Sequence, residues 1–401
     1  MIEIKENNKK ECCGCTACMN ICPVSAIEMK PDEEGFLYPV VNKEKCINCS
    51  LCEKTCPIIN KKKAEGKIEE AYALRAKDED ILETSTSGGF FTPIANWVLK
   101  NDGVVIGVGF GEELRVEHMI ITNENKDRLP ELRGSKYVQS YLGDIFKKVK
   151  EFLENEKIVL FSGTPCQIQG LIKFLNKDYD NLITVDLICH GVPSPKLWKE
   201  YTEYQENKYH SKIKKVNFRN KTYGYHSGTM KLTFDNGKKY YGSARVDYML
   251  KSFFAEISSR PSCYDCKFKD KQHISDFTIF DCWNVSKSSK KEVKDDDKGY
   301  TNIFVNTRNG KDILDKVKQY YILHDINIDK AIELDGIMVE NSAIPNKNRK
   351  EYYKFFKDNS IENTIQKFIP VTKKDIVIEN VKNILYRTGL LNKIKEIKSK
   401  N

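Results

Sequence analysis

No apolar run in the 401-residue sequence approaches the ~18 residues that a membrane-spanning helix needs. The opening MIEIKENNKKECCGC offers no apolar core for a signal peptide. The sequence therefore predicts no membrane span and a cytoplasmic location. A basic stripe interleaved with aromatic residues is also missing. The formal net charge of +9 is spread along a lysine-rich chain, so nucleic acid is not an expected partner, although the charge suits small anions. Hydrophobic residues at 40% and charged residues at 31% are ordinary for a globular protein. The length allows one small domain and one or two larger ones.

Cysteine is what the sequence has in excess, with fourteen in all. Disulfides do not persist in a reducing cytosol, so clustered cysteines there point to metal or redox chemistry. Eight of them form an internal repeat. Cys12-x2-Cys15-x2-Cys18-x3-Cys22-Pro23 recurs as Cys46-x2-Cys49-x2-Cys52-x3-Cys56-Pro57. Three thiolates on one tight loop can occupy three corners of an iron–sulfur cubane, and the fourth cysteine reaches the other cluster. Cys12, Cys15, Cys18 and Cys56 are thus expected to hold one [4Fe–4S] cluster, and Cys46, Cys49, Cys52 and Cys22 a second. Small residues between the ligands (Gly14, Thr16, Ala17, Ser50) let backbone N–H groups turn towards the sulfides. Zinc knuckles use pairs of cysteines rather than triplets with a fourth before proline, and are disfavoured. Cys13 falls outside the ligand register and reads as a bystander.

The charged stretch from Lys61 to Glu70 reads as a linker. Beyond it strands alternate with helices. Ala71–Ala76, Gly103–Phe110, Ile158–Phe161 and Leu182–Ile188 read as strands. Ser87-Gly88-Gly89 opens a helix with Phe90, Ile94, Trp97 and Val98 on one face; Ile168, Leu171, Ile172 and Leu175 mark another. This order implies an α/β core with a largely parallel sheet. Lys215–Arg219, Thr229–Phe234 and Lys238–Gly242, punctuated by Asn-Gly, read as a small antiparallel sheet. Ser286–Lys298 is a charged loop. The last 30 residues read as a basic amphipathic helix with Ile376, Val377, Val381, Ile384 and Leu385 on its apolar side. That side is expected to pack on the body, with membrane-surface docking as the alternative. The expected fold class is α+β and α/β: a small ferredoxin-type dicluster domain, then an α/β domain carrying a small antiparallel sheet.

Five cysteines remain. Cys166 and Cys189 each follow a predicted buried strand, and ligands gather at the carboxyl ends of such strands. Cys263-x2-Cys266 is a compact chelating pair. Spacing alone leaves three readings open for this set: a third [4Fe–4S] cluster, a zinc site, or unrelated buried thiols. Cys282 reads as a buried apolar thiol. His190, beside Cys189, is a candidate for proton transfer, or simply a hydrogen-bonding loop residue.

Gly163-Thr164-Pro165-Cys166-Gln167, Cys189-His190-Gly191-Val192-Pro193 and Cys263-x2-Cys266 resemble the beta subunit of coenzyme F420-reducing hydrogenase. Related F420 dehydrogenase subunits and chlorophyll-modifying reductases share that pattern. Ser87-Gly88-Gly89 and Arg133-Gly134-Ser135-Lys136-Tyr137-Val138 look like the family's N-terminal half, and Asp276-Phe277-Thr278 and Gly299-Tyr300-Thr301 like its C-terminal half. The order of these motifs carries the resemblance, not any one of them. It covers roughly residues 70–345, with 70–200 and 201–345 as the two parts, residues 1–60 as a ferredoxin-type domain in front and 346–401 as a helical extension. The resemblance implies bound FAD and a third cluster on Cys166, Cys189, Cys263 and Cys266.

It also directs attention to Ser87, Gly88, Gly89, Gly134, Ser135, Lys136, Tyr137 and Asp276 as cofactor-binding residues. A serine and two glycines at a helix start suit a pyrophosphate, or equally a plain N-cap. Lys136 could neutralise a reduced flavin or an anionic substrate tail, and Tyr137 could stack on a ring. The implied activity is an FAD-dependent iron–sulfur oxidoreductase acting on coenzyme F420 or a related small molecule, with a redox partner protein also possible. Competing readings are a flavin-dependent reductase of another substrate, such as a sugar or polyprenyl intermediate, a pure electron-transfer subunit, and a zinc-stabilised interaction module.

Overall fold

The computed structural model describes residues 2–64 and 67–391. In the N-terminal module each cysteine loop runs into a short helix, Ala17–Ile21 in the first repeat and Leu51–Thr55 in the second. The two loops turn in the same way. Gly14 and Thr16 in the first, and Asn48 and Ser50 in the second, all have left-handed φ, between 54° and 72°. Two such residues in five bend the chain into a cup lined by its own N–H groups. A two-stranded antiparallel hairpin separates the repeats, β1 (Ile27–Pro31) and β2 (Leu37–Val41), with Ile27 opposite Val41. The linker that follows is tethered, since the side-chain amide of Gln169 bonds both Lys62 N (3.1 Å) and Lys62 O (2.8 Å).

The body is built on an eight-stranded sheet. Its strands are β3 (Glu70–Ala76), β4 (Val104–Phe110), β5 (Val116–Ile121), β6 (Val159–Gly163), β7 (Leu182–Leu187), β11 (Phe277–Cys282), β12 (Tyr300–Val305) and β13 (Tyr321–Asp325). Their spatial order is β13-β3-β12-β11-β7-β6-β4-β5. The middle four strands β11, β7, β6 and β4 run parallel. The flanking pairs β4–β5, β11–β12, β12–β3 and β3–β13 are antiparallel. The expected largely parallel sheet is therefore mixed. β4 returns as β5 through a short turn, and β11 returns as β12 without a long crossover helix, so neither pair can be parallel.

Alternate residues of the central strands feed two cores. Val105, Leu160 and Ile183 face the helices Phe91–Lys100 and Arg308–Val317 through Ile94, Val98, Ile313 and Leu314. Val104, Val159, Phe161 and Leu182 face Ile145–Glu154 and Pro165–Leu175 through Phe146, Val149, Ile168 and Leu171.

A separate antiparallel sheet, β8 (Ile213–Asn220), β9 (Thr229–Phe234) and β10 (Lys239–Ser243), has the order β10-β9-β8. Its last hairpin turns on Asn236-Gly237, with Gly237 at φ 80°, as the dipeptide predicts. Trp198, Tyr201, Tyr352 and Phe356 complete the core beneath it.

The C-terminal helix Lys373–Arg387 departs from expectation. None of its residues is buried, and Ile376, Val377, Val381 and Ile384 are 48–60% exposed. Its polar side faces the body instead. Glu379 accepts from Ser243 N (3.0 Å) and Oγ (2.6 Å), Lys382 sits over the Tyr223 ring, and Tyr386 meets the edge of that ring. The surface it meets offers a hydroxyl and an aromatic ring, so polar contacts outcompete the apolar stripe. The remainder of the expected helix, 392–401, lies outside the described residues. Among the described residues, no helix is long and apolar enough to cross a membrane.

Ending the chain at Val371 removes no buried residue of that helix. The melting temperature should therefore fall by ~2 °C or less, with unchanged visible absorption per chain. A thermal melt that collapses by tens of degrees would show that the outward apolar stripe has a structural partner.

Candidate functional site

The two cysteine loops assemble two four-thiol sets. Burial pushes the Cys18 thiol up, and the charges of Cys12, Cys56 and Cys52 add to that. Cys15 likewise feels Cys18 and Cys56. Cys56 has thus crossed from its own repeat to the first loop. The reverse holds for Cys22, which lines a small cavity of about 20 Å³ together with Cys46, Cys49 and Cys52. Among the described residues, no three Cys, His, Asp or Glu side chains converge closely enough to hold a single ion.

The distal cysteines also come together. Cys166 is the second residue of the helix Pro165–Leu175, directly after β6, where Thr164 and Gln167 form a capping box. Thr164 Oγ1 lies 3.1 Å from Cys166 Sγ. Cys189 follows β7 by two residues. β6 and β7 are adjacent and parallel, so their carboxyl ends share one edge of the sheet. Cys263 lies within the short turn Pro261–Asp265, and Cys266 is its C-cap. All four thiols line one cavity of about 790 Å³. Burial raises the Cys189 and Cys263 thiols, and each feels the charges of Cys166 and Cys266.

Cys13, expected to be a bystander, lines the same cavity. Its thiol lies close enough to those of Cys15 and Cys166 for each to shift its ionisation. It therefore joins the first loop to the distal set. Its neighbour spacing in the repeat gave no hint of this, because the contact to Cys166 spans 153 positions (166 − 13). Cys282 is buried in an apolar cluster, lies outside the cavity lining and has its Sγ 4.0 Å from Ser288 Oγ. It is the apolar thiol the sequence suggests.

The rest of the cavity is open to a ligand. Ser87 and Gly89 line it, but Gly88 does not. The Gly88 N–H donates to Thr301 Oγ1 (2.8 Å), and a Cβ there would meet Leu74 O at 2.2 Å. The glycine expected to face a phosphate is thus a packing glycine between β3 and β12. Gly89, at φ 81°, turns the chain into the helix Phe91–Lys100, whose N-cap is Phe90 and carries no side-chain cap. Phe91 and Thr92 from that first turn line the cavity, leaving a helix N-terminus open to it.

Gly134, Ser135, Lys136 and Tyr137 all line the cavity as well. Gly134 has φ 84° and Ser135 N donates to Thr86 Oγ1 (2.8 Å). Lys136 Nζ donates to the carbonyls of Glu131 and Arg133, each at 2.9 Å, and burial pushes the amine down to about 7. Tyr137 stacks on Phe253, with ring centroids 4.5 Å apart and planes at 16°. His190 is held by the Glu256 carboxylate through Nε2 and leans on Phe253.

Asp276 corrects another expectation. Its carboxylate accepts from Thr184 N (2.8 Å), Thr184 Oγ1 (2.9 Å) and Thr307 Oγ1 (2.5 Å), and it does not line the cavity. It clamps β7 to the start of the helix Arg308–Val317 rather than touching a cofactor.

Two groups lining the cavity escaped the sequence reading. Arg219 is buried on β8, pairs with Asp281 and lies over the Trp283 ring at 4.5 Å. His273 Nδ1 is 2.7 Å from Asp186 Oδ2; burial lowers its pKa, but the carboxylate overrides that and leaves it raised. The partners in each pair are more than 60 positions apart, so local pattern carries no trace of them. Asp281-Cys282-Trp283 was a visible cue, read only for its cysteine.

Residues 11–58 match the family described as 4Fe-4S dicluster domain. Residues 156–330 match the family described as the C terminus of the coenzyme F420 hydrogenase/dehydrogenase beta subunit. A solved chain in the F420-reducing [NiFe] hydrogenase complex from Methanosarcina barkeri is 18% identical. The alignment covers 76% of this chain and 95% of that one, with a TM-score of 0.42. No curated protein matches the sequence. The chain therefore joins a segment that matches a 4Fe-4S dicluster domain to a body that matches, over residues 156–330, the C terminus of the coenzyme F420 hydrogenase/dehydrogenase beta subunit.

Proposed function

We propose that the chain is an FAD-dependent iron–sulfur oxidoreductase that moves electrons between a redox partner protein and coenzyme F420 or a related small molecule. One observation carries this reading: the distal four-thiol set and an open, anion-friendly cleft share a single cavity, which Cys13 joins to the dicluster module. Three [4Fe–4S] clusters are assigned to the three sets. Cys12, Cys15, Cys18 and Cys56 hold the first, Cys22, Cys46, Cys49 and Cys52 the second, and Cys166, Cys189, Cys263 and Cys266 the third. Each set offers four soft sulfur donors, and the left-handed loops of the first two sets favour N–H groups turned inward.

The second set is the entry point. Cys49 is exposed, and its rim carries the exposed Val24, Ile47 and Leu51, an apolar collar on which a partner protein can seat. The third set faces the cleft. Here the uncapped start of the helix Phe91–Lys100 and the left-handed Gly89 offer N–H groups to a phosphate. Lys136 adds a cation that can be switched by an anion, and Tyr137 with Phe253 forms a flat apolar wall. His190, oriented by Glu256, is placed to hold a proton at the wall. A bound flavin would supply one-electron exchange with clusters and hydride exchange with an organic molecule.

Anaerobically purified protein should contain about twelve iron and about twelve sulfide per chain, as three four-iron cages require, with about one FAD. Cys263→Ser combined with Cys266→Ser should lower the iron count to about eight. Wild-type protein with about eight iron and no flavin would reduce the chain to a dicluster electron carrier. Loss of coenzyme F420 absorbance on mixing with the reduced protein tests the acceptor directly.

Lys136 gives a pH signature. Its amine is lowered in the free cleft, and a bound anion raises it again, so binding takes up a proton. Affinity for FAD should be highest below about pH 7 and fall as pH rises through that value. Lys136→Met should flatten the profile in a fluorescence titration; an unchanged slope would remove Lys136 from the anion site.

A further inference from the structure

Arg260 is fully buried at 0% exposure, and among the described residues no carboxylate lies within ion-pair distance of it. Its Nε donates to Cys12 O at 2.8 Å and its Nη1 to Gln139 Oε1 at 3.1 Å. Nη2 has no acceptor. The guanidinium lies over the Tyr38 ring at 4.0 Å, and its backbone N–H is held by Val192 O at 3.0 Å, next to the Cys189–Pro193 loop. Its charge acts on the thiols of Cys12, Cys13, Cys166 and Cys263 and on the Tyr38 phenol.

The buried Arg219 and the half-buried Arg349 are treated differently. Arg219 has Asp281, and Arg349 has Glu34 at 2.6 Å. A guanidinium does not deprotonate inside proteins, and a buried charge without a counter-charge is strongly destabilising. Two carbonyl oxygens and an aromatic face orient Arg260 but bring no negative charge. The counter-charge must come from something the thiols around it bind.

We propose that Arg260 is the counter-charge shared by the iron–sulfur cages on either side of it, those of the Cys12–Cys56 set and the Cys166–Cys266 set, and that it raises the reduction potential of both. This rests on the three-cluster reading for its second half only; the first half needs just the dicluster module. Reduction adds one electron to a cage and makes it one charge more negative, with no bond made or broken. A fixed cation in a dry site stabilises the reduced form more than the oxidised form. Arg260 thereby eases the electron's passage at the seam where it leaves the small module for the body. It is a positioning residue and touches no substrate.

The test is an anaerobic redox titration followed by EPR on the full chain, with iron and sulfide counted in each sample. Arg260→Met should keep the full iron count and lower the midpoints of both clusters beside it. The expected shift is a tenfold change in the reduced-to-oxidised ratio at fixed potential, equal to 59 mV for one electron. Arg260→Lys should restore most of that shift, because the charge returns while the fork geometry does not. Arg260→Met with full iron and unmoved midpoints would overturn the proposal, as would Arg260→Lys behaving like Arg260→Met. If Arg260→Met fails to accumulate, Arg260→Lys decides: wild-type midpoints support the charge, and lowered ones contradict it. A wild-type count of about eight iron would instead remove the third cluster, leaving the shift to be read on the Cys12–Cys56 cluster alone.

Discussion

Helix Pro165–Leu175 lies against the first cysteine loop only because residue 170 has no side chain. A Cβ on Gly170 would sit 2.9 Å from Cys15 Cβ and 3.0 Å from its Sγ. That single close approach sets the distance between the small module and the body. It brings the loop holding Cys12 to Cys18 alongside the helix whose first turn carries Cys166, with Cys13 between them. Electron tunnelling falls steeply with distance, so a seam this tight is what a relay between the two parts requires. Further bonds fix its angle: Asn20 Nδ2 to Gly143 O at 3.0 Å, and Arg349 to Glu34.

On the body side, the position of the cavity follows from the sheet. The central parallel strands deliver their carboxyl ends to one edge, and the loops leaving β6 and β7 carry Cys166 and Cys189 there. The Cys263–Cys266 turn closes over them from a segment pinned to the same loop, since Arg260 N bonds Val192 O and Pro193 pairs with Ser259. The sheet thus acts as a rigid holder while connecting segments carry the chemistry. The antiparallel flanks widen the sheet without adding to the site, except where β3 and β12 grip Gly88 and aim the start of the helix Phe91–Lys100 into the cleft.

What could be read from the sequence follows the range of the interactions. The duplicated cysteine motif is local, so its crossed pairing was legible: Cys56 does sit with the first loop and Cys22 with the second. Strand and helix positions were legible from periodicity, and the Asn236-Gly237 hairpin from turn chemistry. Sheet direction at the flanks was not, because it depends on where distant strands such as β3 and β12 pair. Asp276 was singled out through the family resemblance of Asp276-Phe277-Thr278, and its partners Thr184 and Thr307 are assembled only in the fold. Arg260 and Cys13 were invisible for the same reason. The neighbours that give them a role, the Cys12 carbonyl for Arg260 and the Cys166 thiol for Cys13, lie far along the chain. The C-terminal helix misled through its amphipathic pattern, which states that one face is apolar but not that this face points inward.

The proposed clusters would form one closely spaced relay across the seam where Cys15 meets Gly170. The most direct measurement is the EPR spectrum of the fully reduced protein. Neighbouring paramagnetic clusters should split and broaden one another's signals, and their spin relaxation should quicken. A spectrum that is the plain sum of magnetically isolated centres would contradict the relay.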